Sequence, residues 1–151
     1  IYGAPSKTKA CMDRIVFSSL MPQMYYDTNG VVRHPWRFKG RHEKQVLIST
    51  CGFPQIEHNY DALLAQMNII NANITNILCC GSAALHIPVF NEYRARVQAY
   101  LSDVKQAGFE YIRYDTISQP LAARLKEPLV PPEKYMELFN SLWRWDHVDE
   151  R

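Results

Sequence analysis

No run of apolar residues approaches the roughly 20 needed to cross a bilayer as a helix, so the sequence offers no spanning segment. Neither sign of charge is in excess. Seventeen Lys and Arg face fifteen Asp and Glu, a formal net charge of +2, and bulk charge of that size gives no argument for nucleic acid as a partner. Cysteine is scarce: Cys11, Cys51, Cys79 and Cys80, with no CxxC and no Cys/His ligand spacing. That pattern excludes a zinc ribbon and argues against a secreted disulfide scaffold. Buried thiols in a reducing, cytoplasmic compartment are the expectation. No metal is expected. A basic stretch followed by a long apolar one is missing from the opening residues, so no signal peptide is read there. The opening Ile1-Tyr2-Gly3-Ala4-Pro5 has no initiator Met and reads as the interior of a longer sequence. Internal repeats and low-complexity segments are also missing.

What is there is an ordinary globular composition. The chain has 151 residues, 47% apolar and 21% charged, which fits one domain or part of one. Ser6 is placed to cap a helix starting at Lys7, with Cys11, Met12, Ile15 and Val16 on one face. That helix fades by Ser19 to Met21. Residues 22–44 read as a long lid-like loop carrying a turn or hairpin signal, Asp27-Thr28-Asn29-Gly30. Gln45 to Cys51 reads as a strand, apolar without alternation, as in a parallel strand covered on both faces. Tyr60, Leu63, Leu64, Met67 and Ile70 then give a helical stripe. Asn76 to Gly81 is a second buried strand. Tyr93, Val97, Tyr100, Leu101 and Val104 mark the next helix, which Gly108 ends. Residues 109–151 form a C-terminal extension, in which Glu110 to Thr116 reads as a short strand or extended tail. Pro120 to Lys126 is a short helix, and Glu133 to Trp145 the last one. Strands alternating with helices predict an α/β chain of parallel βαβ units.

In open α/β sheets, ligands bind beyond the carboxyl ends of the strands. Three segments qualify: Tyr2 to Ser6, Thr50 to Phe53, and Gly81-Ser82-Ala83. The first leads into a helix whose N–H groups can hold an anion or polar edge. The second combines a small residue, a glycine and an aromatic, and can bring its backbone close to a flat ligand.

The stretch Ile1-Tyr2-Gly3-Ala4-Pro5-Ser6-Lys7-Thr8-Lys9-Ala10-Cys11-Met12-Asp13-Arg14 resembles the second flavin loop of the flavodoxin-like NAD(P)H-dependent FMN reductases. The likeness continues in Gly30 to Trp36, in Val46 to Phe53, and around Pro131-Pro132-Glu133. It implies a flavodoxin-like three-layer α/β/α parallel sheet, with residues 1–151 the C-terminal part of a single domain. The family's first strand and phosphate-binding loop would precede Ile1. The resemblance implies FMN as cofactor, bordered by Tyr2, Gly3, Ala4, Pro5 and Ser6 along ring and ribityl chain, and by Thr50, Cys51, Gly52 and Phe53 at the ring's polar edge. NAD(P)H would be the co-substrate and a quinone or other small electron acceptor the second one. Such proteins usually pair as homodimers, and no catalytic side chain is required of them. The alternative reading is a flavodoxin-like electron-carrier or interaction module without turnover.

Other residues carry weaker suggestions. His34, Arg37, Lys39, Arg41 and His42 suggest a lid for cofactor phosphates or, more simply, a solvated loop. Trp36 and Phe38 among those cations resemble a single-strand nucleic-acid platform, which the net charge does not support. Cys51 with His58 suggests a thiol nucleophile but lacks an orienting third group. Cys79 and Cys80, neighbours on a strand, point to opposite faces and cannot chelate one metal together. Met21, Met24, Tyr25 and Tyr26 suit core packing or a cover. Trp143 and Trp145 suit an anchor for the last helix.

Overall fold

The structure, a computed structural model, describes residues 4–38, 45–70 and 74–143. Trp145 and the Lys39, Arg41, His42 and Lys44 portion of the basic run lie outside the described residues. The chain divides into two compact units, residues 1–46 with 60–75, and residues 47–59 with 76–151. It is a mixed α/β protein, mostly helical, with a small parallel sheet. Among the described residues no helix is long and apolar enough to cross a membrane.

In the first unit, α1 spans Ser6–Ser19. Its first turn is closed by the Lys9 N–H donating to the Pro5 carbonyl at 2.8 Å. Ser6 is thus the first helical residue rather than the cap. Of the apolar face, Cys11 is exposed, Ile15 is 50% exposed and Met12 is half-buried. The Asp27-Thr28-Asn29-Gly30 signal does form a hairpin, between β1 (Tyr25–Tyr26) and β2 (Val32–Arg33), which pair antiparallel. The Asp27 carboxylate accepts the Asn29 and Val31 amides, each at 2.9 Å. Gly30 turns the chain at φ +74°, a conformation that glycine adopts without steric cost. Met24, Tyr25 and Tyr26 are exposed, which removes them from the core.

Arg33 explains how that hairpin is held. Its guanidinium donates to Asp27 Oδ2 at 2.7 Å and to the carbonyls of Asn68 and Ile69, both at 2.8 Å. Those carbonyls end α2, Asp61–Ile70, which has no basic residue in its own last turn. Arg33 therefore supplies the C-terminal cation and donors that α2 lacks. The same hydrogen bond holds the Asp27 carboxyl below the usual carboxylate range. Tyr60 and Leu63, of the α2 stripe, are buried.

The parallel pair consists of β3 (Val46–Thr50) and β4 (Thr75–Cys79). The Thr75 N–H donates to the Gln45 carbonyl at 3.0 Å and the Cys51 N–H to the Cys79 carbonyl at 2.9 Å. In a parallel ladder these bonds set Gln45 opposite Ile74 and Cys51 opposite Cys80. β3 is not covered on both faces as expected. Its exposure alternates, and Ile48 is 63% exposed, because only one of its faces is packed. β4 fits the expectation better, with Ile77 and Cys79 buried.

The second unit carries the main core. Ile77, Phe90, Val97, Tyr100, Leu121, Leu125 and Tyr135 are among its buried members. Two 3₁₀ segments that the periodicity does not reveal, Ser82–Leu85 and Pro88–Tyr93, lead from β4 into α3, Arg94–Tyr114. Gly108 does not end α3, and the strand or tail expected from Glu110 is its last turn. Asp115, at φ +59°, ends the helix by donating its N–H to the Tyr111 carbonyl at 3.0 Å, the left-handed cap more often given to glycine. Leu101 of the expected stripe is 46% exposed.

α4 spans Gln119–Lys126 and α5 spans Pro132–Asn140. Arg124 on α4 forks onto Asp103 of α3, with contacts of 2.9 and 3.1 Å to Oδ1. Arg96 of α3 donates to the Arg124 and Glu127 carbonyls at 3.1 and 3.0 Å, capping α4 as Arg33 caps α2. α5 stops short of the expected Trp145, and Trp143 beyond it is 60% exposed rather than an anchor within the described chain.

Candidate functional site

The carboxyl ends of β3 and β4, both in the second unit, bring two glycine turns side by side. β3 runs out into Cys51-Gly52-Phe53, and β4 into Cys80-Gly81. Two backbone bonds knit the turns together. The Gly81 N–H donates to the Phe53 carbonyl at 2.6 Å and the Ser82 N–H to the Cys51 carbonyl at 2.9 Å. Gly81 takes a left-handed φ of +63°, where a Cβ is disfavoured. A Cβ there would also sit 3.1 Å from the Tyr135 ring.

Tyr135 is the side chain that holds this end of the sheet. It is buried, its ring stacked on Phe90 at 4.9 Å and on Phe139 at 5.8 Å. Its hydroxyl donates to the Gly52 carbonyl at 2.8 Å. Burial pushes its hydroxyl pKa up, so it stays a donor. The turn is thereby tied to α5, 83 residues away in sequence. The stripe on α5 marks Tyr135 as core, but nothing in the sequence indicates that it reaches a turn beyond β3.

Thr50, Gly52 and Phe53 are exposed at this turn, Phe53 by 37%, and Cys51 is half-buried. A side chain added at Gly52 would meet nothing within 4 Å. The Cys51 sulfur lies 3.7 Å from the Phe53 carbonyl and 3.7 Å from the Cys80 sulfur. Cys79 points the other way, into the core, hydrogen-bonded with Tyr100. Burial pushes both Cys79 and Tyr100 up. Of the four cysteines only Cys79 is buried, while Cys11 is exposed, so the expectation of uniformly buried thiols fails.

Of the first loop, Tyr2 and Gly3 lie outside the described residues. Ala4, Pro5 and Ser6 belong to the first unit, at the start of α1, and are half-buried or exposed. Of the cations that suggest a phosphate lid or, more simply, a solvated loop, two of the described ones meet backbone carbonyls. His34 Nδ1 lies 3.0 and 2.9 Å from the carbonyls of Met21 and Gln23, and Arg37 donates to the Leu20 carbonyl at 3.4 Å. Among the described residues no cluster of three or more His, Cys, Asp or Glu is placed to hold a metal ion.

A pocket of about 160 Å³ opens in the second unit beside the turn, lined by Pro54 to Glu57, Leu78 to Cys80, Tyr100, Leu125 to Leu129 and Pro132. Pockets for drug-sized ligands run to roughly 300–1,000 Å³. This one suits a side chain or a small fragment, not a tricyclic ring. A flat ligand at this end of the sheet would have to lie over the open Gly52 side instead. Comparison with family models, with curated proteins and with solved structures finds no match to this chain.

Proposed function

We propose that this chain serves an FMN-dependent NAD(P)H oxidoreductase of flavodoxin-like fold, with Thr50, Cys51, Gly52 and Phe53 at the edge of the isoalloxazine. The observation that supports it most is the exposed turn at the carboxyl end of a parallel strand pair, with open space over Gly52 and an aromatic ring beside it. Ligands gather at this position in open α/β sheets. The residues present suit a ring edge. They do not supply a phosphate cradle, since the phosphate-binding segment that the family resemblance calls for has no counterpart in the sequence.

FMN held at its ring edge by Thr50, Cys51, Gly52 and Phe53 would supply hydride chemistry between NAD(P)H and an acceptor such as a quinone. The chain's own part is to bind and orient. Gly52 lets the backbone approach a planar surface, because no Cβ intervenes. Phe53 offers a half-open face for stacking. Tyr135 fixes the turn through the Gly52 carbonyl, which would hold the backbone beside a ring edge in one conformation.

Two measurements test this reading. The purified protein is scanned for flavin absorbance, and NADPH oxidation is followed with added FMN and a quinone. Bound flavin and FMN-dependent NADPH consumption are expected. Flavin uptake without turnover would move the assignment to an electron-carrier module, and a protein that takes up no FMN would end the flavin reading.

A further inference from the structure

The register of the ladder sets Cys51 opposite Cys80, each one residue past the end of its parallel strand, and their sulfurs are 3.7 Å apart. Opposed residues of a parallel pair project to the same face. Neighbouring strands lie about 4.7–4.9 Å apart, inside the roughly 4.4–6.8 Å span of Cα atoms that a disulfide joins. Bridging them therefore asks for side-chain rotation and no change of register. Both thiols are half-buried at a strand end whose next residue, Gly52, is open to solvent. Cys79 faces the core on the opposite side of β4.

From this geometry we infer that Cys51 and Cys80 form a dithiol site that reacts with low-molecular-weight disulfides and closes to an intramolecular disulfide. Cys51 enters first. Its thiolate attacks one sulfur of the small disulfide and expels one small thiolate, which takes up a proton. The Cys80 thiolate then attacks the Cys51 sulfur of the mixed disulfide and expels the second. The protein loses two electrons and two protons, and one small disulfide becomes two small thiols. Cys51 takes the first step because it adjoins Gly52, which is open to solvent; burial pushes the Cys80 thiol up, in keeping with that order. The bridge would pin the turn that carries Gly52 and Phe53 to the end of β4. The inference does not depend on a flavin binding there.

The test treats the folded chain with oxidised glutathione, quenches with acid, alkylates the remaining thiols and maps the peptides by mass. The expected product is a monomer lighter by two hydrogens. It carries a Cys51–Cys80 linked peptide, keeps two of its four thiols alkylatable, and reverts with dithiothreitol. Cys80→Ser should instead stop at one glutathione adduct on Cys51. Four alkylatable thiols after treatment would overturn the inference, as would a link to Cys11 or Cys79, or a link formed only between chains. The wild-type result decides the matter even if Cys80→Ser fails to fold.

Discussion

Gly81 and Tyr135 are closely fitted, since a Cβ at Gly81 would lie 3.1 Å from the tyrosine ring. The glycine sits at φ +63° with its open side against the tyrosine ring. Gly81→Ala must accept both the left-handed backbone and a contact of 3.1 Å, a cost of about 1–3 kcal/mol. Chemical denaturation should show it as a lowered midpoint with an unchanged slope. Tyr135→Phe keeps the stacking on Phe90 and removes the hydroxyl from both of its backbone partners, the Gly52 carbonyl to which it donates and the Ala83 N–H from which it accepts. A loss of about 1–3 kcal/mol is expected, because the Gly52 carbonyl, in an exposed turn, regains water while the N–H of buried Ala83 does not. A loss below about 0.5 kcal/mol would show that neither bond contributes to stability. Gly81 is visible in the sequence as a strand-end glycine, but its tyrosine partner is not. Helical spacing shows that Tyr135 faces inward, not which distant carbonyl its hydroxyl meets.

The helices show where local pattern is a sufficient guide and where it fails. α2 and most of α3 follow from their apolar spacing, and α4 from a proline suited to a first turn. Gly108 misleads because glycine favours helix ends without enforcing them. Here Asp115 takes the left-handed position instead, and the Glu110 carboxylate accepts the Ser118 N–H at 2.7 Å as the chain turns into α4. Gly108 is an interior helical glycine with open space around its missing Cβ, and such a glycine costs about 0.5–1 kcal/mol relative to alanine. Gly108→Ala should therefore stabilise the protein by that amount, read as a raised thermal midpoint. A fall would place a left-handed or crowded backbone at 108.

The α3–α4 pair also predicts a response to acid. The Arg124 guanidinium holds the Asp103 carboxyl below its usual range. A depressed carboxyl stabilises the fold above its unfolded pKa, and that contribution fades as pH falls through its folded one. Asp103→Asn should be less stable than wild type at neutral pH, and the gap should close as pH drops below about 4. A gap that stays constant between neutral pH and about pH 3 would show that the pair contributes no pH-linked stability. The arginine caps, Arg33 on α2 and Arg96 on α4, are not readable from sequence. Arg33 meets a carbonyl 35 residues on and Arg96 one 31 residues on, and nothing in local composition marks such a pairing.

For the whole molecule, the mixed α/β character and the parallel pair are legible, since β3 and β4 are short apolar runs separated by a helical stripe. The cover on β3 is not. An apolar run shows that a strand can be buried on both faces, not that partners exist to do it, and Ile48 at 63% exposure records the difference. The turn after β3 is likewise legible as a candidate because small, glycine and aromatic residues follow one another at a strand end. Gly52 offers a clean probe of whether that turn meets a flavin. Its side is open and its φ lies outside the left-handed region, so Gly52→Val leaves the fold undisturbed and places its methyl groups only where a ligand would lie. Titration of FMN by fluorescence quenching, wild type against Gly52→Val, should show saturable binding that the valine weakens at least about tenfold, roughly 1.4 kcal/mol. Equal affinity in the two proteins, or no saturable binding by the wild type, would contradict the placement of FMN at this turn.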